Sequence, residues 1–368
     1  VIKAYKITHK LGYITGDNHG SNDKMCRFIS AALSEFDEPY EWDPIQHRIR
    51  CHGHVVNLAS QAFLFAKDTE AVDIAITEAE ADESNGTGAD ENLVKRLKRA
   101  ETTSWRQIGP MGMLHNIQIH IYGSSSRTNA FRDLAGKLLP RDNDTRWNSW
   151  FTMMDEALRP PMRQAITIYQ SRYPELAADV LSHEDWETIA ATRLFLQPFW
   201  RVTLETEGDK ATLDLTLKSM DFLIKHYERS KSKHAGNPTL SSSIITSWFV
   251  FDKYYNLTDA TPAYAAALLL HPSRRKAYLT SYWKRDWQVV ALKAVTKLWE
   301  TQYKDRVFTY AASLSTTGIE PDEYDLFEAQ PQRDLESTAV KDELQRFIKA
   351  DPIKIVTTAL DWWLQPER

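Results

Sequence analysis

Cysteine is almost absent from this sequence: Cys26 and Cys51 are the only two among 368 residues. Two thiols cannot build a disulfide framework, so the expected compartment is a reducing, intracellular one with neither thiol bridged. No run approaches the ~20 consecutive apolar residues that span a bilayer, which excludes a membrane-spanning helix. The N-terminus, Val1-Ile-Lys-Ala-Tyr-Lys, has no signal-peptide pattern and no initiating Met, and we read the chain as a segment of a longer protein. An excess of positive charge is also lacking. The 45 Lys and Arg against 50 Asp and Glu leave a net charge of -5. A uniformly basic duplex-coating protein is thereby excluded, because such binding rests on cations that neutralise phosphates; any nucleic-acid contact must be local.

What is present is a globular chain, 42% hydrophobic, long enough for one large or two ordinary domains. Leu11, Tyr13 and Ile14 form a short β-prone run that stops at Gly16, with Asp17 at the point where the strand ends. A carboxylate there suits a hard cation held through oxygen ligands, and it equally suits an Asx-turn that closes an ordinary strand. Met25, Phe28, Ile29, Ala32, Leu33 and Phe36 predict an amphipathic helix over 21–36, with Ser21 or Asn22 as N-cap. His47 to Cys51 reads as a second strand, and Val55 to Phe65 as an apolar helix. From Asp68 to Asp90 the composition turns acidic and small, which predicts a flexible linker, followed by the cation run Lys95-Arg-Leu-Lys-Arg99. Helical apolar spacing then recurs over 113–122, 146–158, 186–204, 213–227, 242–257 and 287–303. With only 13 glycines and short connections, this part reads as a helical bundle.

Two short motifs invite chemistry. Cys51-x-x-His54 offers two zinc-ligating types, but a structural zinc wants four ligands, so a buried Cys51 and a His54 at a helix start weigh more. In Asp142-Asn-Asp-Thr-Arg146-Trp147-Asn-Ser-Trp150, Asp144 or Thr145 can cap a helix whose Trp147, Trp150, Phe151 and Met154 share one face. That makes a core-facing aromatic stripe. An indole beside a guanidinium also suits stacking on an extruded base with a phosphate contact. His271, before Pro272, reads as the end of a helix.

Taken in order, Gly16-Asp17-Asn18 with Asn22, Arg50-Cys51-x-x-His54-x-x-Asn57-Leu58, and Thr145-Arg146-Trp147-Asn148-Ser149-Trp150 resemble the hAT superfamily of cut-and-paste DNA transposases, especially its fungal branch. The likeness extends over nearly the whole chain, through Leu196-Gln-Pro-Phe199 and Leu270-His271-Pro272 to Trp362-Trp363. It implies an α/β ribonuclease-H-like core, here partial, interrupted by a large all-α insertion, the whole being predominantly helical. The division it implies is a partial core over 1–67, a linker over 68–100, the insertion over 101–345 and the start of a C-terminal dimerisation region over 346–368.

Within the family's pattern Asp17 matches the second of three catalytic acids that hold Mg²⁺ or Mn²⁺ in the intact parent. The other two fall outside this sequence, and Glu367-Arg368 reads as a coincidence. Arg146 and Trp147 match the pair that handles the flipped base and hairpin at the transposon flank. Cys51 and His54 take a structural or DNA-proximal role. The implied partners are transposon-end DNA and a second copy of the chain, and the implied location is the nucleus. The alternative is a domesticated or decayed derivative that binds DNA or dimerises without catalysis.

Overall fold

In the computed structural model, residues 4–5, 7–35, 40–66, 70–77, 93–97, 105–143, 146–208, 211–304 and 342–365 are described. The fold is predominantly helical, and the chain divides into two compact units, 1–261 and 262–368.

The first unit opens with a small α/β element. Strand β1 (Ile14–Gly16) pairs in parallel with β2 (Arg48–Arg50), Ile14 opposite Arg48 and Gly16 opposite Arg50. Parallel neighbours need a crossover, and helix α1 (Gly20–Ser34) supplies it. Cys26, Leu33 and Trp42 form its core, with Leu11, Ile14, Ile29 and Tyr40 packed around them. The Trp42 indole donates to Gly12 O at 2.6 Å and the Tyr40 hydroxyl to Leu11 O at 3.2 Å. The apolar stripe expected on α1 is only half covered: Phe28 is 75% exposed. Its N-cap is His19, whose Nδ1 accepts from Ser21 N, rather than Ser21 or Asn22.

Helix α2 (His52–Phe65) belongs to a different core. Val55, Val56, Ala59, Ala62 and Phe63 are buried in one continuous cluster with residues as distant as Phe251 and Tyr254. The helices of that cluster are α3 (Pro110–Tyr122), α4 (Ser125–Ala135), α5 (Trp147–Ala157), α6 (Pro160–Arg172), α7 (His183–Thr206), α8 (Leu213–Lys233) and α9 (Pro238–Asn256). The most extensive helix pairing is α2 against α9, where small residues allow a close approach. Ser247 Oγ donates to Ala59 O and Ser243 Oγ to Ala66 O, both at 2.8 Å. The Ser247 proton is thus committed, so the buried Tyr227 hydroxyl donates to Ser247 Oγ at 2.6 Å. Gly112 of α3 admits the 3-10 turn Trp105–Ile108: a Cβ there would lie 1.6 Å from Trp105 O.

The expected boundary at 68–100 therefore does not divide the cores. Most of that stretch lies outside the described residues, but Ala71, Ala75, Leu93, Val94 and Leu97 are buried in the same cluster as α2 and α9. Lys95 and Arg96 are exposed on the other side of their helical turn, as a solvated face. All six spans of helical spacing are helices, with ends that move by up to six residues: Leu213–Lys233 runs furthest beyond its span, while Trp147–Ala157 is one residue shorter at each end.

The second unit holds α10 (Ala263–Leu269), α11 (Arg275–Tyr282), α12 (Arg285–Gln302), α13 (Glu343–Lys349) and α14 (Ala359–Trp363). His271 falls just past the C-cap of α10, its Nδ1 accepting from Ser273 N at 3.1 Å. The expected boundary at 346 cuts through α13, which packs on α11 through Arg275: that guanidinium lies 4.4 Å from the centre of the Phe347 ring and donates to Asp351 O. The Trp363 indole donates to Leu270 O at 3.0 Å, which ties α14 to the end of α10. Among the described residues no helix is long and apolar enough to cross a membrane.

Candidate functional site

Asp17 follows directly on β1 and is exposed. Two side chains set its geometry. Asn22, in the first turn of α1, donates through Nδ2 to Asp17 Oδ1 at 2.5 Å and to Asp17 O at 3.2 Å. The Asp17 carboxylate also accepts from His19 N at 3.1 Å, the Asx-turn that the sequence allows. From the other side Arg48, only 4% exposed, donates to Asp17 O, to Gly16 O at 3.3 Å and to Ile49 O at 2.9 Å. A Cβ on Gly16 would stand 3.3 Å from the Arg48 guanidinium and 3.4 Å from Asn22, so this strand end is closely filled.

The charge on Arg48 is balanced by Asp23, whose Oδ1 pairs with Arg48 Nε at 3.3 Å and Arg50 Nη2 at 3.4 Å. Cys26, wholly buried beneath, has its thiol pushed up by burial, opposed in part by the Arg48 charge, and is therefore a packing residue rather than a nucleophile. Asn18 is 3% exposed; its Nδ2 reaches Cys51 O at 3.5 Å, and its Oδ1 is buried with no hydrogen-bond partner among the described residues.

Cys51 is the N-cap of α2 and contributes backbone only, its side chain making no cap. His54 lies half-buried in the first turn. The two do not assemble a zinc site: among the described residues no three His, Cys, Asp or Glu side chains converge. The same observation bears on Mg²⁺ or Mn²⁺. Asp17 brings one carboxylate and Asp23 is committed to two arginines, so these residues by themselves do not fit a two-ion centre.

His52, between them, is the deeper residue. Its Nε2 lies 2.9 Å from Ser219 Oγ, and Ser219 spends its own proton on Thr216 O at 2.7 Å. Nε2 is therefore the donor and Nδ1, buried with no partner among the described residues, carries no proton. Burial pushes the His52 pKa down to about 4.

The third motif sits at the start of α5. Its N-cap is Arg146, not Asp144 or Thr145, which lie outside the described residues; Arg146 makes no side-chain cap. The cap comes from α2: Asn57 Oδ1 accepts from Trp147 N at 3.3 Å, and from Gln61 Nε2 at 3.0 Å. Ser149 closes the preceding loop, donating to Arg146 O at 2.8 Å and accepting from Asn143 N at 2.7 Å. Below that loop His115 Nδ1 and Asp142 Oδ2 meet at 2.6 Å, with the imidazole stacked on Trp150 at 5.4 Å.

The Arg146 side chain is exposed. Trp147 is not: at 2% exposure it packs edge-on against Phe151 and Trp200, in line with the core-facing stripe of Trp150, Phe151 and Met154. In this arrangement its indole has no open face for a base.

The three motifs are thus joined. Asn18 and Arg48 tie the first to the second, and Asn57 ties the second to the third, through hydrogen bonds that span 31 to 90 residues of sequence. The residues that make the joints are Asn18, Arg48 and Asn57; Asn18 and Asn57 stand inside the motifs and Arg48 two residues before the second, and none of them carries a local sign of its distant partner. No family model, no curated protein and no solved structure matches the chain.

Proposed function

We propose that this chain is part of a hAT-type DNA transposase, with a partial ribonuclease-H-like core over β1, α1 and β2 and a helical insertion that handles the cut flank. The observation that carries the reading is the junction of the three motifs: residues with no local reason to meet are linked by side-chain bonds, Arg48 to the Asp17 carbonyl, Asn18 to the Cys51 carbonyl and Asn57 to the Trp147 N–H. The parallel β1–α1–β2 unit, with an acid one residue past a strand end, also supports it, because groups at strand ends in such sheets face a ligand crevice. So does the exposed Phe28 on α1, a side chain that a larger sheet would cover.

In this reading Asp17 is one of three acids and binds Mg²⁺ or Mn²⁺ only together with the others. Asn22 and Arg48 hold its carboxylate and main chain. Arg146 meets a phosphate at an extruded base or hairpin, while Trp147 anchors α5 in the core. Pairing through the second unit and a nuclear location belong to the same proposal. DNA contact by Arg146 is independent of the metal, so it tests in this chain directly. A DNA hairpin with an unpaired base at its tip is bound more tightly than the matching duplex. Arg146→Ala weakens hairpin binding on the order of tenfold and leaves duplex binding nearly unchanged. Equal hairpin binding by wild type and variant removes the role.

A further inference from the structure

We infer that Asn57 is a positioning residue for Arg146: its side chain, offered from α2, holds the first turn of α5 in the place where the Arg146 guanidinium meets DNA. The inference rests on the proposed DNA role of Arg146. Its geometric basis is independent of that role.

A helix leaves its first N–H groups without internal partners, and an N-cap side chain normally accepts from one of them. At α5 the N-cap is Arg146, which has no side-chain acceptor to give. Asn57 substitutes for it across 90 residues of sequence, accepting from Trp147 N at 3.3 Å. Its Oδ1 is itself oriented by Gln61 Nε2 one turn along α2, at 3.0 Å. That fixes which end of the amide faces α5, since only an oxygen accepts from both donors.

The support under Asn57 is rigid. Helix α2 is seated on α9 through the Ser243 and Ser247 bonds, whereas the loop before α5 is tied to its own first turn by Ser149. Arg146 is thereby held from two sides: Ser149 Oγ takes its carbonyl, and Asn57 takes the N–H of the next residue. Both bonds fall on the one peptide unit that joins Arg146 to Trp147, so the backbone on the C-terminal side of the Arg146 side chain is fixed through its carbonyl and its N–H together. An acceptor at 57 is what this arrangement requires, and Asp would serve in place of Asn, with a charge that also suits a helix N-terminus.

The experiment uses the 368-residue chain and two DNA probes, the hairpin with an unpaired base and its matching duplex. Arg146→Ala, Asn57→Ala and Asn57→Asp are compared with wild type for binding to both, and each melting curve establishes that the protein is folded at the assay temperature. Asn57→Ala is expected to weaken hairpin binding about as much as Arg146→Ala, on the order of tenfold, with Asn57→Asp near wild type. Combining Asn57→Ala with Arg146→Ala adds little to either alone, because one acts through the other. Hairpin affinity that stays at the wild-type level in a folded Asn57→Ala overturns the inference, even with a lowered melting temperature, and leaves the Arg146 role intact. Unchanged binding by Arg146→Ala overturns both. Should Asn57→Ala fail to fold, an ester in place of the Trp147 amide removes the donor and also weakens the Arg146 carbonyl as an acceptor, so it is compared with Ser149→Ala, which loses only the bond to that carbonyl: hairpin binding weakened beyond Ser149→Ala supports the inference, and binding at the Ser149→Ala level overturns it.

Discussion

His52 illustrates how a single side chain's protonation is decided by its neighbours. The hydroxyl of Ser219 is already spent on Thr216, so the imidazole donates to it, and the second nitrogen faces no acceptor. Adding a proton there places both a charge and an unmet donor in the core, and the pKa falls from 6.5 to about 4. Between those values the unfolded chain binds more protons than the native one, so stability rises with pH across that window and is full above it. Lowering the pH from 7.5 to 5 should cost about 2 kcal/mol through this residue. Urea unfolding of wild type and His52→Gln at both values checks it: the variant should lose distinctly less on acidification. Equal losses would assign the acid sensitivity to other groups. Nothing in the sequence marks His52 above His47 or His54; its burial depends on Ser219, 167 residues away.

At the scale of elements, periodicity was the readable part. Helices such as α7 and α9 bury one continuous stripe, and the spacing of Phe195, Leu196, Phe199 and Val202 announces it. Helix α4 has little to read, since Phe131 is its one buried residue, whereas α6 carries a helical stripe of Met162, Ala165, Ile166 and Tyr169 whose spacing in the sequence already marks it. Helix α5 was legible as an aromatic stripe, and its packing decides how its two functional candidates separate. Trp147 fills the space beside Phe151 and Trp200, while Asp155 on the same helix takes Arg193 of α7 at 2.7 Å. Trp147→Ala should therefore leave a cavity and cost about 3–5 kcal/mol of folding stability. Chemical unfolding measures it. A loss below ~1 kcal/mol, together with weakened hairpin binding, would return the indole to the DNA surface.

At the scale of the whole chain, the linear order of the motifs was visible and their meeting was not. Asp17, Cys51, His54, Arg146 and Trp147 could be picked out by residue type and spacing. The bonds that bring them together run through Asn18, Arg48 and Asn57, and depend on which elements pack, a matter that local pattern does not encode. The packing of α2 shows the same limit. Helix α2 follows β2 in sequence and so reads as part of the α/β element, yet its mostly apolar surface is buried among helices α3 to α9. One consequence is that the strand end bearing Asp17 and the loop bearing Arg146 share a single support, α2, whose first residues follow β2 and whose Asn57 caps α5.

The proposed function gives Asp17 the role of a metal-binding acid in DNA strand cleavage. Strand cleavage in Mg²⁺ or Mn²⁺ by the full-length protein on a substrate with transposon ends, comparing wild type with Asp17→Asn, tests that role. The exchange keeps the hydrogen-bonding shape but removes the charge. The account predicts metal-dependent cleavage by wild type and its loss in Asp17→Asn, with hairpin binding through Arg146 retained. Cleavage that survives the exchange, or a wild-type parent that binds hairpins and never cuts, would contradict it.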